Sequence, residues 1–211
     1  TAAVSAISDN KTKLNCKVCQ LVKLYKNGAP FKMSKRAGDF ISAQDLLNEV
    51  DKDQIRFMML NRSNDMELDF DFDKVREKTK DNPVFYVQYA YARINSILRT
   101  LNINLTNEIL LDEKNFQLNE IEEKIIRKIF EWPKIIESVS IKFDLHKIPF
   151  YLYELSTLFH AYWSKGNESK NYKFIENNKI KRKETLVVLN LVAVVIQNGM
   201  RILGVSLPKK M

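Results

Sequence analysis

The chain has 211 residues, 45% of them hydrophobic, with 34 Lys+Arg against 26 Asp+Glu for a formal net charge of +8. That describes one large globular domain, or a domain with part of another, whose positive excess points to an anionic partner without identifying it. The longest apolar stretch, Leu186 to Ile196, is interrupted by Asn190; it falls short of the roughly 20 residues of a bilayer span, which argues against a membrane partner. The charge is uneven: residues 1–75 carry 12 Lys+Arg and 11 Asp+Glu, and residues 76–211 carry 22 and 15, so a polyanion is expected on the C-terminal part.

Thr1-Ala2-Ala3-Val4 lacks the charged start and apolar run of a signal peptide, and Thr1 in place of Met reads as a fragment or a processed piece. Residues 16–25 (CKVCQLVKLY) alternate and are β-branched, which predicts a strand running into the hairpin signal Asn27-Gly28. The two cysteines, Cys16 and Cys19, have no second pair, and the only histidines, His146 and His160, lie far downstream. Zinc takes four ligands, or three and a water, and positions i and i+3 of a strand face opposite ways. Both are therefore read as ordinary thiols of a reducing compartment, the cytoplasm, and no bound metal is expected.

The run Phe31 to Gly38 (FKMSKRAG) follows, with Lys32 and Lys35 around a Met33-Ser34 pair. Lysines on a mobile loop suit a site where negative charge builds up on phosphate. Ser42 with Asp45 reads as a capping box for a helix over about 43–50, and a second helix is predicted over about 52–62. Glu67 to Asp73 alternates strictly, which predicts an extended segment with Leu68, Phe70 and Phe72 inward and the carboxylates in water. A calcium loop starting at Asp69 would need Gly and Glu where Lys74 and Lys80 stand.

From residue 82 the pattern is helical, with helices over about 82–102, 117–139 (kinked or broken at Pro133), 144–165 and 183–203, and a polar, lysine-rich loop over 165–182 with at most one helical turn. Asn82-Pro83 reads as an N-cap and first turn. On that helix Val84, Val87, Tyr91, Ile94, Leu98 and Leu101 form the core seam, while Tyr86, Tyr89 and Arg93 fall nearly opposite, with Asn82 in line at the start. Two readings are open for those aromatics: cover by a second layer of helices, or a platform on which unpaired bases stack, with Arg93 supplying charge. The helix at 144–165 carries Phe150, Tyr151, Tyr153, Phe159, Tyr162 and Trp163, mostly read as core, and His146 and His160 as ordinary polar positions. Leu186 to Ile196 is apolar on every face apart from Asn190, which predicts a central, buried helix. Lys179, Lys181, Arg182 and Lys183 read as a solvated run or as phosphate contacts.

The stretches PFKMSKRAGDF (30–40), LDFDFDKV (68–75), DNPVFYVQYAYARINSIL (81–98) and NGMRILGVSLPKKM (198–211) together resemble the C-terminal third of bacterial arginyl-tRNA synthetases, class I enzymes. The resemblance implies a mainly α fold: the last strand and signature loop of a nucleotide-binding domain (1–38), a connecting helical segment (39–76) and a helical-bundle anticodon-binding domain (77–211). It places Lys32 and Lys35 on the loop that stabilises ATP phosphates, with Met33 and Ser34 as positioning residues. Tyr86 and Tyr89 match the paired tyrosines of an anticodon pocket, Phe159 a third aromatic near it, Met211 a chain end that folds back on the same bases, and Arg93 the arginine of Y-A-x-A-R. Asn82 joins them as a tRNA-side residue. At Thr185 the family usually has Arg, so one RNA contact or helix-pair interaction is not carried over. The implied partners are tRNA(Arg), with arginine and ATP (and its magnesium) as substrates of the parent ligase, in a monomer. No H-I-G-H motif is possible with two histidines in the helical part, so these 211 residues alone are expected not to ligate. The alternative is a non-catalytic helical relic that binds RNA or protein generally.

Overall fold

The computed structural model describes residues 1–31, 41–103 and 116–211; the signature-loop residues Lys32, Met33, Ser34 and Lys35 lie outside them. A short helix, α1 (Ala2–Ile7), buries none of its residues. Strand β1 (Val22–Lys26) turns at Asn27 (φ 54°) and Gly28 (φ 72°) into β2 (Ala29–Pro30), pairing Lys26 with Ala29. Consecutive left-handed residues make the turn whose twist matches the flanking strands, which is why Asn-Gly occupies it. The predicted strand over 16–25 forms only in its second half, where β3 (Leu68–Asp71) supplies a parallel partner for Val22 to Tyr25. Cys16 and Cys19 precede it as exposed thiols without a ladder.

Helices α2 (Ala43–Glu49) and α3 (Lys52–Leu60) stand where the sequence placed them, α2 with the Ser42/Asp45 capping box intact. The extended segment stops two residues early, at Asp71. The Asp71 carboxylate accepts from the backbone N–H of Asp73 at 3.0 Å and so caps α4 (Phe72–Arg76). Asp73 in turn accepts from the Asn27 N–H at 2.7 Å, tying this helix to the hairpin. These carboxylates serve as caps, and among the described residues no three potential metal ligands cluster. Phe70 and Phe72, both fully buried, meet edge to face at 5.6 Å over a small core with Leu24, Val50, Leu68 and Val75.

The larger core belongs to a helical bundle that among the described residues comprises α5 (Pro83–Thr100), α6 (Glu120–Phe130), α7 (Trp132–Lys142), α8 (Lys147–Glu168) and α9 (Lys183–Leu203). The predicted break at Pro133 separates α6 from α7, since proline lacks the N–H that an interior turn would use. α9 packs against α5, α6 and α8. Its Gly199 does not stop the helix; a Cβ there would lie 2.8 Å from both Leu152 methyls, so glycine lets α8 and α9 approach. The stretch Leu186–Ile196 is central as expected, but not buried throughout: Leu191 and Val194 are each 36% exposed. Taken whole, α9 is long and apolar enough to cross a membrane by length and composition, which the interrupted run 186–196 concealed; here Val188, Leu189, Val192, Ala193, Ile196 and Met200 sit in the bundle core.

The segment read as a polar loop is more structured. α8 runs on to Glu168, a 3-10 turn covers Lys170–Tyr172, and a small hairpin pairs β4 (Ile175–Glu176) with β5 (Lys179–Ile180). Its turn residues Asn177 and Asn178 have φ of 51° and 57°. Asparagine tolerates that region, but an Asn-Asn pair is a weaker hairpin signal than Asn-Gly. After α9 the chain folds back along the bundle. Arg56 donates to the Leu203 carbonyl, Gln88 to that of Ser206 at 3.0 Å, and Arg99 to that of Lys209 at 2.6 Å.

Candidate nucleic-acid interface

The outward face of α5 begins at Asn82, which the structure removes from the binding residues. It is 2% exposed; its amide donates to the carbonyls of Val75 and Glu77, both at 2.7 Å, and accepts from Phe85 N–H. Every polar atom of that side chain is occupied in joining the connecting segment to the first turn of α5, so it presents nothing to RNA. Phe159 is corrected in the same way. It is 0% exposed within the bundle core and offers no face to a base.

The remaining residues converge. Tyr86 and Tyr89 lie one helical turn apart and are both half-buried. The Tyr86 ring is 5.0 Å from Tyr153 and 4.4 Å from His160, both on α8. Tyr89 stacks on Phe85 at 5.7 Å with 17° between the planes. The Arg93 guanidinium lies 4.1 Å above the Tyr89 ring and 5.0 Å from that of Trp163. Such cation–π contacts orient a planar cation. Met211, 53% exposed, is carried to this face by the Arg99–Lys209 bond, and with Tyr89, Arg93, Ser96, Arg99, Trp163 and Lys210 it lines a cavity of 340 Å³. Three cations and two aromatic walls on one cavity suit a nucleobase with its phosphates. Cover by a second layer of helices holds on one side of Tyr86, which α8 packs against, while Tyr89 and Arg93 reach the cavity.

Sequence reasoning passed over His160, which lies at the centre of this arrangement. It is 7% exposed, with Nε2 3.1 Å from the Tyr86 carbonyl and Nδ1 3.1 Å from Arg93 Nη1. A carbonyl only accepts and a guanidinium only donates, so the ring must be neutral with its proton on Nε2. Burial, with a smaller contribution from the Arg93 charge, pushes its pKa down to about 4. The available signal was helical spacing: Tyr153 and His160 are seven apart on α8 and share a face.

This gives a pH prediction. The unfolded imidazole takes up a proton near its ordinary value of about 6.5, whereas the folded one resists until about pH 4. The folded state therefore binds fewer protons in that window, and the contribution of His160 is complete above about pH 6.5 and lost as pH falls to 4. Allowing for water at its open edge, it is on the order of 2 kcal/mol. The urea-unfolding free energies of the parent and His160→Gln should converge by that amount between those pH values. Parallel curves would refute the assignment.

Behind this face lies a buried carboxylate. Glu122 is 0% exposed on α6; it accepts from Tyr162 at 2.7 Å, from Thr185 at 2.6 Å and from the Asn119 N–H at 2.9 Å, and Arg182 lies 3.1 Å away. Burial raises the Tyr162 pKa to about 12, which keeps its hydroxyl a donor. Of the two readings of the basic run, Arg182 takes neither fully, since its charge is spent on Glu122.

Comparison with known proteins places these residues in context. Residues 87–211 match the family model described as the DALR anticodon binding domain. The whole chain is 53% identical to the arginine–tRNA ligase of Pelagibacter ubique and 47% identical to that of Ruegeria pomeroyi, in each case spanning 37% of the relative's length. A crystal structure from Campylobacter jejuni, described as an arginyl-tRNA synthetase, superposes over 92% of this chain and 40% of its own, with a TM-score of 0.76 and 28% identity. The Thermus thermophilus arginyl-tRNA synthetase superposes over 84% of this chain and 29% of its own at 21% identity, TM-score 0.59, a likeness of fold.

Proposed function

The chain belongs to the DALR anticodon binding domain family, and on that premise we propose that its bundle reads unpaired anticodon bases of an arginine-accepting tRNA as the C-terminal part of an arginine–tRNA ligase. The observation that carries this reading is the joint placement of Tyr89, Arg93 and the chain end Met211 on one cavity, with Tyr86 one turn away. Base stacking on an aromatic is worth about 1–3 kcal/mol per base and needs no particular base, whereas the donors of Arg93 and Arg99 and the limited volume favour some bases over others. The net charge of +7 over residues 76–211 supplies attraction to phosphates.

The proposal extends to the whole ligase. Arginine attacks the α-phosphate of ATP, which enters with magnesium, and pyrophosphate leaves; Lys32 and Lys35 stabilise the charge of that step, with Met33 and Ser34 positioning the loop. A monomer in the cytoplasm completes the reading. The 211 residues hold only this half of the ATP site, so arginine-dependent pyrophosphate exchange by the chain alone should stay at background.

The test is tRNA binding by Tyr86→Ala and Tyr89→Ala. Each should weaken the cognate tRNA by roughly 5- to 100-fold and other tRNAs by less. Equal losses across all tRNAs would instead favour a general RNA- or protein-binding relic.

A further inference from the structure

We propose that His160 is a positioning residue for RNA recognition, holding the Arg93 guanidinium between Tyr89 and Trp163. The inference rests on the reading of this face as an anticodon site. His160 is almost fully buried and will not itself touch a base. It nevertheless contacts the two tyrosines and the arginine that form the face, since its ring lies 4.4 Å from Tyr86 and 5.8 Å from Tyr89. Nδ1 accepts from Arg93 Nη1, and Nε2–H donates to the Tyr86 carbonyl. One imidazole thus ties the arginine to the backbone of the helix turn that carries Tyr86.

The physical consequence is preorganisation. An unheld arginine samples many rotamers, and a base that bonds to it must freeze them. Here contacts with the two aromatic rings confine the guanidinium and the His160 bond fixes the direction of Nη1. Both conditions are met before RNA arrives, so the loss on binding is reduced. Arg93 in turn lines the cavity with Arg99 and Met211. A protonated His160 would turn a second donor towards Arg93 and break the tie, and burial keeps that form away at neutral pH.

The experiment compares His160→Phe, which keeps a ring of similar size without either bond, with His160→Gln, which restores one acceptor and one donor. Affinity is measured for an arginine-accepting tRNA and for the same tRNA with a substituted anticodon, alongside Tm. His160→Phe is expected to weaken the cognate tRNA about tenfold and the substituted one little, and to lower Tm by a few degrees in line with its stability contribution. His160→Gln should recover most of the loss, and in an Arg93→Ala background His160→Phe should add nothing. An equal loss in that background, or no loss while Tyr89→Ala still shows one, overturns the proposal. If Tyr89→Ala leaves binding intact, it is the anticodon reading that fails. Should His160→Phe not fold, nitrogen-15 imidazole shifts of the unaltered chain decide. A proton on Nε2 alone is expected from about pH 5 to 8, and any other form overturns the assignment.

Discussion

Arg182→Ala is expected to destabilise the bundle by about 3 kcal/mol. Glu122 has no exposed surface, and Arg182 is the only cation within 4 Å of it among the described residues. The hydroxyls of Tyr162 and Thr185 and the Asn119 N–H satisfy its lone pairs but cannot neutralise its charge. Removing one partner of a buried pair leaves the other charge desolvated and unpaired, which costs more than the pair itself contributes. Arg182 is 30% exposed on its outer side, and water reaching its place keeps the effect at the lower end of the range. Adding Glu122→Gln to Arg182→Ala should recover part of the loss, because the stranded charge then disappears while the donors keep an acceptor. The measurement is urea unfolding of the single and double variants. A single variant within about 0.5 kcal/mol of the parent would show that Glu122 is not held by this pairing.

Phe159→Ala should cost about 3–5 kcal/mol, the range for truncating a buried phenylalanine when its surroundings cannot close the cavity. The side chain is fully buried and meets Trp163 at 6.2 Å. Phe159→Leu keeps most of the volume and should lose far less. The two variants separate packing from recognition. If Phe159 acts only through the core, Phe159→Leu keeps the preference for the cognate tRNA while Tyr89→Ala loses it. A selective loss of cognate affinity with an unchanged Tm in Phe159→Leu would return Phe159 to the binding face, in a conformation other than the present one.

Much of this protein was legible in its residues because the signals were local. The capping box at Ser42, the Asn27-Gly28 turn, the seam from Val84 to Leu98 and the break at Pro133 each depend on neighbours within a few positions, and each is present as read. The four sequence stretches that identify the family are likewise properties of the chain alone. Asn82 shows the limit of that reasoning. Its place in line with Tyr86 and Arg93 was correct, but angle around a helix does not tell whether a side chain reaches solvent or caps the helix beneath it. Phe159 and His160 show the same limit from the other side. They are adjacent on α8, and only the packing of α5 and α9 against α8 decides that Phe159 faces the core and His160 the arginine.

Sequence by itself therefore determined the family, the order of the bundle helices and the aromatic pair Tyr86 and Tyr89, because helix periodicity, caps and turns are set by the chain's own stereochemistry. Tertiary structure decided which groups meet: the imidazole that holds Arg93, the arginine that neutralises Glu122 and the chain end that closes the cavity on α5. Those meetings join residues 60 to 122 positions apart. They arise from burying apolar faces that carry no information about their partners, so no local pattern could have announced them.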